Sequence, residues 1–187
     1  HFPDALISID TFRSEVAEAA IRSGAKIVND ISGGMLDPKM VDFITANQVP
    51  YIAMHMRGNP KNMLKMTKYT HIISEILFYF SQLIERLKDK GHSDLIIDPG
   101  FGFAKTTEQN FEILSNLELF KNLESIILVG LSRKSMIYKT LKTDPSEALN
   151  GTTVLNTLAL AKGADILRVH DVRPAVEAIK LTIKTLT

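Results

Sequence analysis

Six short apolar runs along this chain each lead into side chains that could bind or polarise a ligand. Asp10 follows the first run, Asn29 and Asp30 the second, His55 the third and Asp98 the fourth. Ser132, Arg133 and Lys134 follow the fifth, and Arg168 with His170 closes the sixth. Taken singly, each has an ordinary reading as a helix cap, a turn former or a solvated loop charge. The recurrence after every run points instead to one polar site assembled from distant parts of the chain. Glycines sit in the same places (Gly33, Gly34, Gly58, Gly100, Gly102 and Gly130), where backbone can approach a ligand closely. Several chemistries lack their motifs: there is no Walker A loop, no dinucleotide fingerprint, no Gly-x-Ser-x-Gly elbow and no His-Glu-x-x-His pair. Cysteine is absent, which removes disulfides, thiolate metal sites and Cys nucleophiles. His55, between Met54 and Met56, reads as a packed, hydrogen-bonded histidine, with metal ligation as the alternative.

The elements that must position these groups can be read from periodicity. The apolar runs Ala5–Ile9, Ala25–Val28, Tyr51–Met54, Asp94–Ile97, Ile126–Val129 and Asp165–Val169 are rich in Ile, Val and Leu, as strands buried on both faces are. Between them, helical periodicity predicts helices over Ser14–Ser23, Asp37–Asn47, His71–Lys90, Glu108–Asn122, Pro145–Lys162 and Arg173–Thr187. Thr11 is a cap candidate for the first, and Gly24, Gly91 and Gly163 are natural stops. Strand–helix–strand repeats of this length imply parallel pairing with right-handed crossovers. Two closures remain open, a doubly wound sheet or part of an eight-unit barrel; in the barrel, all the polar groups named above open on one face. Six units are too few for a whole barrel, and the chain begins almost directly on a strand, so an N-terminal piece is expected to be missing.

The composition suits one globular domain. The 187 residues are 45% hydrophobic and 23% charged, with no linker or charge block dividing them. Twenty-two Lys and Arg against 21 Asp and Glu leave a net charge of +1, which gives no electrostatic reason to expect nucleic acid or an anionic membrane as partner. No apolar run is long enough to span a bilayer. A cytoplasmic location is expected from the lack of cysteine and of a recognisable signal peptide.

The segments SIDTF (8–12), NDISGG (29–34), MHMRGNP (54–60), DPGFGFAKT (98–106), GLSRKS (130–135) and RVHDV (168–172), in this order, resemble the dihydropteroate synthase family. The resemblance covers nearly the whole chain. It implies an α/β fold, the (β/α)8 TIM barrel, here lacking its first two βα units and retaining strands three to eight. Residues 1–187 would then form a single pterin-binding domain, incomplete at the N-terminus.

The implied activity is that of a folate-synthesis transferase. It joins 6-hydroxymethyl-7,8-dihydropterin diphosphate to 4-aminobenzoate, by an SN1-like path, to give 7,8-dihydropteroate and diphosphate. By the same resemblance Asp98 grips the 2-amino-pyrimidinone edge of the pterin, whose parallel N–H donors suit an ionised carboxylate. Asn29 and Asp10 contact the pterin ring, Lys134 reaches its carbonyl and ring nitrogen, and Arg168 lies over its face and near the phosphates. His170 contacts the diphosphate, Ser132 and Lys134 flank the aminobenzoate, and Ile31, Met54 and Phe103 form apolar walls. Asp98, Lys134 and Arg168 are the implied catalytic residues. Mg²⁺ is the implied cofactor, small molecules the implied partners, a homodimer through the C-terminal helices is permitted, and the family is a sulfonamide target.

The chain departs from the family pattern at its start. The Asn-x-Thr-Pro-Asp-Ser-Phe loop, whose Asn contacts Mg²⁺, is absent, as are a Thr and an Arg that help close over aminobenzoate. No metal ligand is therefore expected within these residues, and the isolated chain is expected to be inactive and prone to aggregate. The related barrel of methyltetrahydrofolate–corrinoid methyltransferases shares the carboxylate and the Asn but not the SRKS and RVH segments. A non-catalytic pterin-binding remnant is the third reading.

Overall fold

The computed structural model describes residues 4–186. Six strands, β1 (Ser8–Asp10), β2 (Ile27–Asp30), β3 (Tyr51–Met54), β4 (Leu95–Asp98), β5 (Ile126–Val129) and β6 (Ile166–Leu167), form one sheet in that order. Every pairing is parallel. The helices are α1 (Ser14–Arg22), α2 (Lys39–Asn47), α3 (Ile72–Asp89), α4 (Thr107–Ser115), α5 (Ser135–Leu141), α6 (Leu149–Ala161) and α7 (Val172–Leu186). Because each strand lies beside its sequence neighbour, the order never reverses, and among the described residues there is no switch point. The doubly wound alternative is thereby overturned, and the winding is that of a barrel.

Right-handed crossovers between consecutive strands put the helices on one side of the sheet. The main core lies there: Val28, Tyr51, Ala53, Ile97, Ile127 and Val129 pack with Ile44, Ile76, Phe80, Ile113 and Ile137. Alternate strand residues face the other way, where Ile52, Ile96 and Leu128 form a smaller cluster with Ile27 and Ile166 against it. Two residues further along, the same face carries Asn29, Met54, Asp98, Gly130 and Arg168, and Asp10 is in register with Asn29. The inner face thus changes from apolar to polar at the C-terminal ends of the strands. That change is what creates the site.

Local chemistry explains most element ends. Thr106 and Gln109 form a reciprocal capping box at the start of α4. The Asp37 carboxylate, from the loop after β2, accepts the Ser14 N–H at 2.7 Å and so caps α1 from another unit, while Thr11 Oγ1 accepts only from Arg13 N. That hydrogen bond holds the Asp37 carboxyl below its usual range.

The boundaries correct the sequence reading in four places. β1 and β6 are shorter than expected and not buried on both faces, because each pairs on one side only among the described residues. The expected helix Glu108–Asn122 breaks at Asn116 into α4 and a 3-10 segment, Leu117–Leu123. A 3-10 turn, Pro145–Glu147, precedes α6. Finally, α5 was not anticipated. The last expected helix ended at Thr187, which lies outside the described residues. Among those residues, no helix is long and apolar enough to cross a membrane.

Candidate active site

Asp98 is the centre of the polar face. Its side chain is 1% exposed, Oδ1 accepts the Gly100 N–H at 2.8 Å, and Oδ2 accepts from Arg168 Nη2 at 2.7 Å. Gly100 has φ +74°, and a Cβ there would lie 2.1 Å from the His55 carbonyl oxygen, so the turn after β4 requires glycine. Arg168 also reaches Asn29 Oδ1 at 3.4 Å, and Asn29 Nδ2 donates to Asp10 Oδ1 at 2.7 Å. Asp10, Asn29, Arg168 and Asp98 thereby form one chain of hydrogen bonds across strands far apart in sequence. Arg168 fits because Gly130 has no side chain: a Cβ there would be 2.7 Å from Nη2. Its partner is thus Asp98 inside the site, and neither Asp165 nor Asp171 on the surface.

Cations outnumber the buried carboxylate. The Lys134 ammonium donates to the Phe101 carbonyl and lies 4.8 Å from the centre of the Phe103 ring. Burial lowers its pKa to about 8, with the Asp98 charge opposing that shift and Arg168 adding to it. Lys105, 8% exposed, donates to the carbonyls of Gly100 and Phe103 at 3.0 Å and of His55 at 3.3 Å. Burial lowers its pKa to about 7, against the attraction of Asp98. His55 Nδ1 lies 3.2 Å from the same ammonium, and burial holds the imidazole neutral, its pKa pushed down to about 2. His55 is therefore a packed, hydrogen-bonded residue. With Lys134 and Arg168 beside Asp98, the pocket is suited to a ligand that is neutral at one end and anionic at the other.

The remaining candidates gather around this centre. An open cavity of about 420 Å³ is lined by Asp10, Thr11, Phe12, Arg13 and Ile31. Met54 is fully buried beside Asp98 in the strand register, and forms floor more than wall. Ser132 Oγ meets His170 at both its backbone N (3.2 Å) and Nδ1 (2.9 Å), joining the loops after β5 and β6. A groove of about 720 Å³ between α6 and α7 lies away from all of these residues. Among the described residues, no three His, Asp or Glu side chains cluster in a way that could hold a metal ion.

The family model described as pterin binding enzyme matches residues 1–170. The chain belongs to that family. Among curated relatives, the dihydropteroate synthase of Synechocystis is 44% identical over 181 residues, covering 95% of this chain and 63% of the relative. That of Escherichia coli K12 is 39% identical over 183 residues, covering 97% and 64%. The chain spans just under two thirds of the length of these relatives. Among solved structures, a Yersinia pestis dihydropteroate synthase in complex with a sulfonamide drug superposes with a TM-score of 0.93 at 34% identity, covering 97% of this chain and 67% of that one. The Thermus thermophilus dihydropteroate synthase gives a TM-score of 0.93 at 33% identity, covering 98% and 74%.

For a pterin binding enzyme, the sequence reading left out Lys105 and named Arg133 without giving it a role, and the fold makes both prominent. Lys105 stands in DPGFGFAKT, where a lysine after a glycine-rich turn reads as a solvated charge; only the folded loop buries it. Arg133, between Ser132 and Lys134, carries the densest set of side-chain bonds in its loop. Asp30, next to Asn29, points to the helix side, where it accepts from Ser32, Gly34 and Tyr51 and shapes the NDISGG loop.

Proposed function

We propose that this chain is the pterin-binding part of a dihydropteroate synthase, its six units being the last six of an eight-unit barrel. The observation that carries the reading is the buried Asp98 carboxylate at the inner C-terminal face, with Lys105, Lys134 and Arg168 around it. Two parallel N–H donors of a 2-amino-pyrimidinone edge complement such a carboxylate, since each Asp98 oxygen keeps lone pairs beyond its one protein bond. Asn29 and Asp10 supply acceptor and donor atoms for the rest of the ring, with Ile31, Met54 and Phe103 as apolar surface.

In the proposed reaction the bond between the pterin methylene carbon and the diphosphate oxygen breaks, and the electron-rich ring carries the positive charge. The amine of 4-aminobenzoate then forms the new C–N bond and loses a proton. The protein's task is positioning and charge stabilisation. Arg168 and His170 draw on the departing diphosphate, Lys134 holds the ring carbonyl, and Ser132 flanks the aminobenzoate. Magnesium would neutralise the leaving group when bound. The donor set described above does not form a site for it, so no step here runs through the metal. Cytoplasmic location, homodimerisation and sulfonamide sensitivity belong to the same reading.

The test is an assay of the protein at its natural full length with pterin diphosphate, 4-aminobenzoate and Mg²⁺. Diphosphate and dihydropteroate appearing in equal amounts is the expected result. A folded protein that releases neither, or that demethylates methyltetrahydrofolate instead, overturns the proposal.

A further inference from the structure

Arg133 reaches neither Asp98 nor the cations that would meet a diphosphate, yet its guanidinium is almost fully engaged. Nε donates to Asp171 Oδ2 at 2.8 Å and Nη2 to Asp171 Oδ1 at 3.0 Å, a two-pronged fork onto one carboxylate. Nη1 donates to the carbonyls of Pro145 (2.8 Å) and Ser146, the turn before α6. The Arg133 backbone N–H is held at 2.9 Å by Thr152 Oγ1, whose own proton goes to the Ala148 carbonyl. The fork holds the Asp171 carboxyl below its usual range.

The neighbours give this its meaning. Ser132 binds His170 and Arg133 binds Asp171, so two successive residues of the loop after β5 hold two successive residues of the loop after β6. One contact would leave the loops free to pivot, whereas two adjacent contacts fix both spacing and orientation. Arg133 also has φ +52°, a left-handed conformation that costs a non-glycine residue energy and persists only where surrounding bonds enforce it. Lys134 is the next residue, with its ammonium on the Phe101 carbonyl.

We propose that Arg133 is a positioning residue whose fork to Asp171 locks Lys134 and His170 in the relative geometry that group transfer needs. The inference rests on the synthase reading for its catalytic consequence, but the clamp itself can be measured without it. Lysine would not substitute, because an ammonium offers a point charge in place of a planar fork.

The test compares Arg133→Ala, Arg133→Lys and Asp171→Asn with the parent, in the protein at its natural full length. Turnover is expected to fall on the order of 100-fold in Arg133→Ala and Arg133→Lys, the scale of a misplaced catalytic group. Affinity for 6-hydroxymethylpterin, which lacks the diphosphate, should fall by less than about tenfold, because Asp98 is untouched and only the Lys134 contact to the ring carbonyl loosens. Millimolar guanidinium ion should restore part of the turnover of Arg133→Ala without raising its melting temperature, and methylammonium should not. Hydrogen exchange should quicken together at residues 132–134 and 170–171 in Arg133→Ala and Asp171→Asn, with the turn before α6 joining them in Arg133→Ala alone, where the bonds to Pro145 and Ser146 are also lost. Unchanged turnover in folded Arg133→Ala, or pterin affinity lost in step with turnover, overturns the positioning role. Faster exchange in only one of the two loops overturns the clamp, even if the parent releases no diphosphate and the synthase reading itself fails.

Discussion

Replacing Asp98 by Asn keeps the side chain's size and removes its charge, and the structure gives the cost in two parts. For stability, a buried ion pair that loses one partner typically costs 3–5 kcal/mol, but the Arg168 side chain is 39% exposed and water can take over much of its solvation. About 2 kcal/mol is therefore expected, or roughly 4–8 °C in melting temperature for a chain of this size. For binding, Asn would present one acceptor and one donor to two N–H donors, so one charge-assisted bond is lost and a donor faces a donor. With hydrogen bonds to charged groups contributing about 1.5–3 kcal/mol each, the loss is about 3 kcal/mol, on the order of 100-fold in affinity. Calorimetric titration with 6-hydroxymethylpterin reads the binding term and a thermal melt reads the stability term. Asp98→Asn binding pterin within a few-fold of the parent while remaining folded would refute the edge-on grip.

Three further outcomes follow from the same geometry. Lys134 carries its charge below about pH 8, so affinity for the pterin diphosphate should fall as pH rises through that value, and the fall should be absent in Lys134→Met; a titration series across pH 6–10 checks this. Lys105 has a folded pKa of about 7 against an ordinary 10.5, so the unfolded chain binds more protons across that window and stability should rise with pH from about 7 upward; in Lys105→Met the rise should begin only near pH 8, where Lys134 takes over, as urea unfolding at stepped pH values would show. Gly100→Ala forces a Cβ against the His55 carbonyl at positive φ, at a cost of about 2–5 kcal/mol and with loss of pterin binding; a variant as stable as the parent would mean the turn is built differently.

Much of this architecture was legible in the sequence because parallel strands buried on both faces leave unbroken apolar runs. Tyr51–Met54 and Ile126–Val129 coincide with β3 and β5 to the residue. Asp98, Lys134, Arg168, Asn29 and Asp10 could be singled out as candidates because each ends or follows a strand, and parallel order brings such ends together. What could not be read were features decided by tertiary partners. The exposure of β1 and β6 depends on what pairs beside them. The seven residues of α5 start at the last position of the GLSRKS segment, with no side-chain cap to announce a helix. The ammonium cage of Lys105 needs carbonyls from residues 55, 100 and 103, and the Arg133 fork needs an aspartate 38 positions away. The helix-side role of Asp30, beside the inward-facing Asn29, follows only once the strand register is known.

A crystal structure of the full-length protein with 6-hydroxymethylpterin bound tests the central claim most directly. The ring's 2-amino group and adjacent ring N–H should each lie about 3 Å from an Asp98 oxygen, with the hydroxymethyl arm directed toward Arg168 and His170. A pterin bound elsewhere, or one turning a different edge to Asp98 so that its arm points away from those cations, would contradict it.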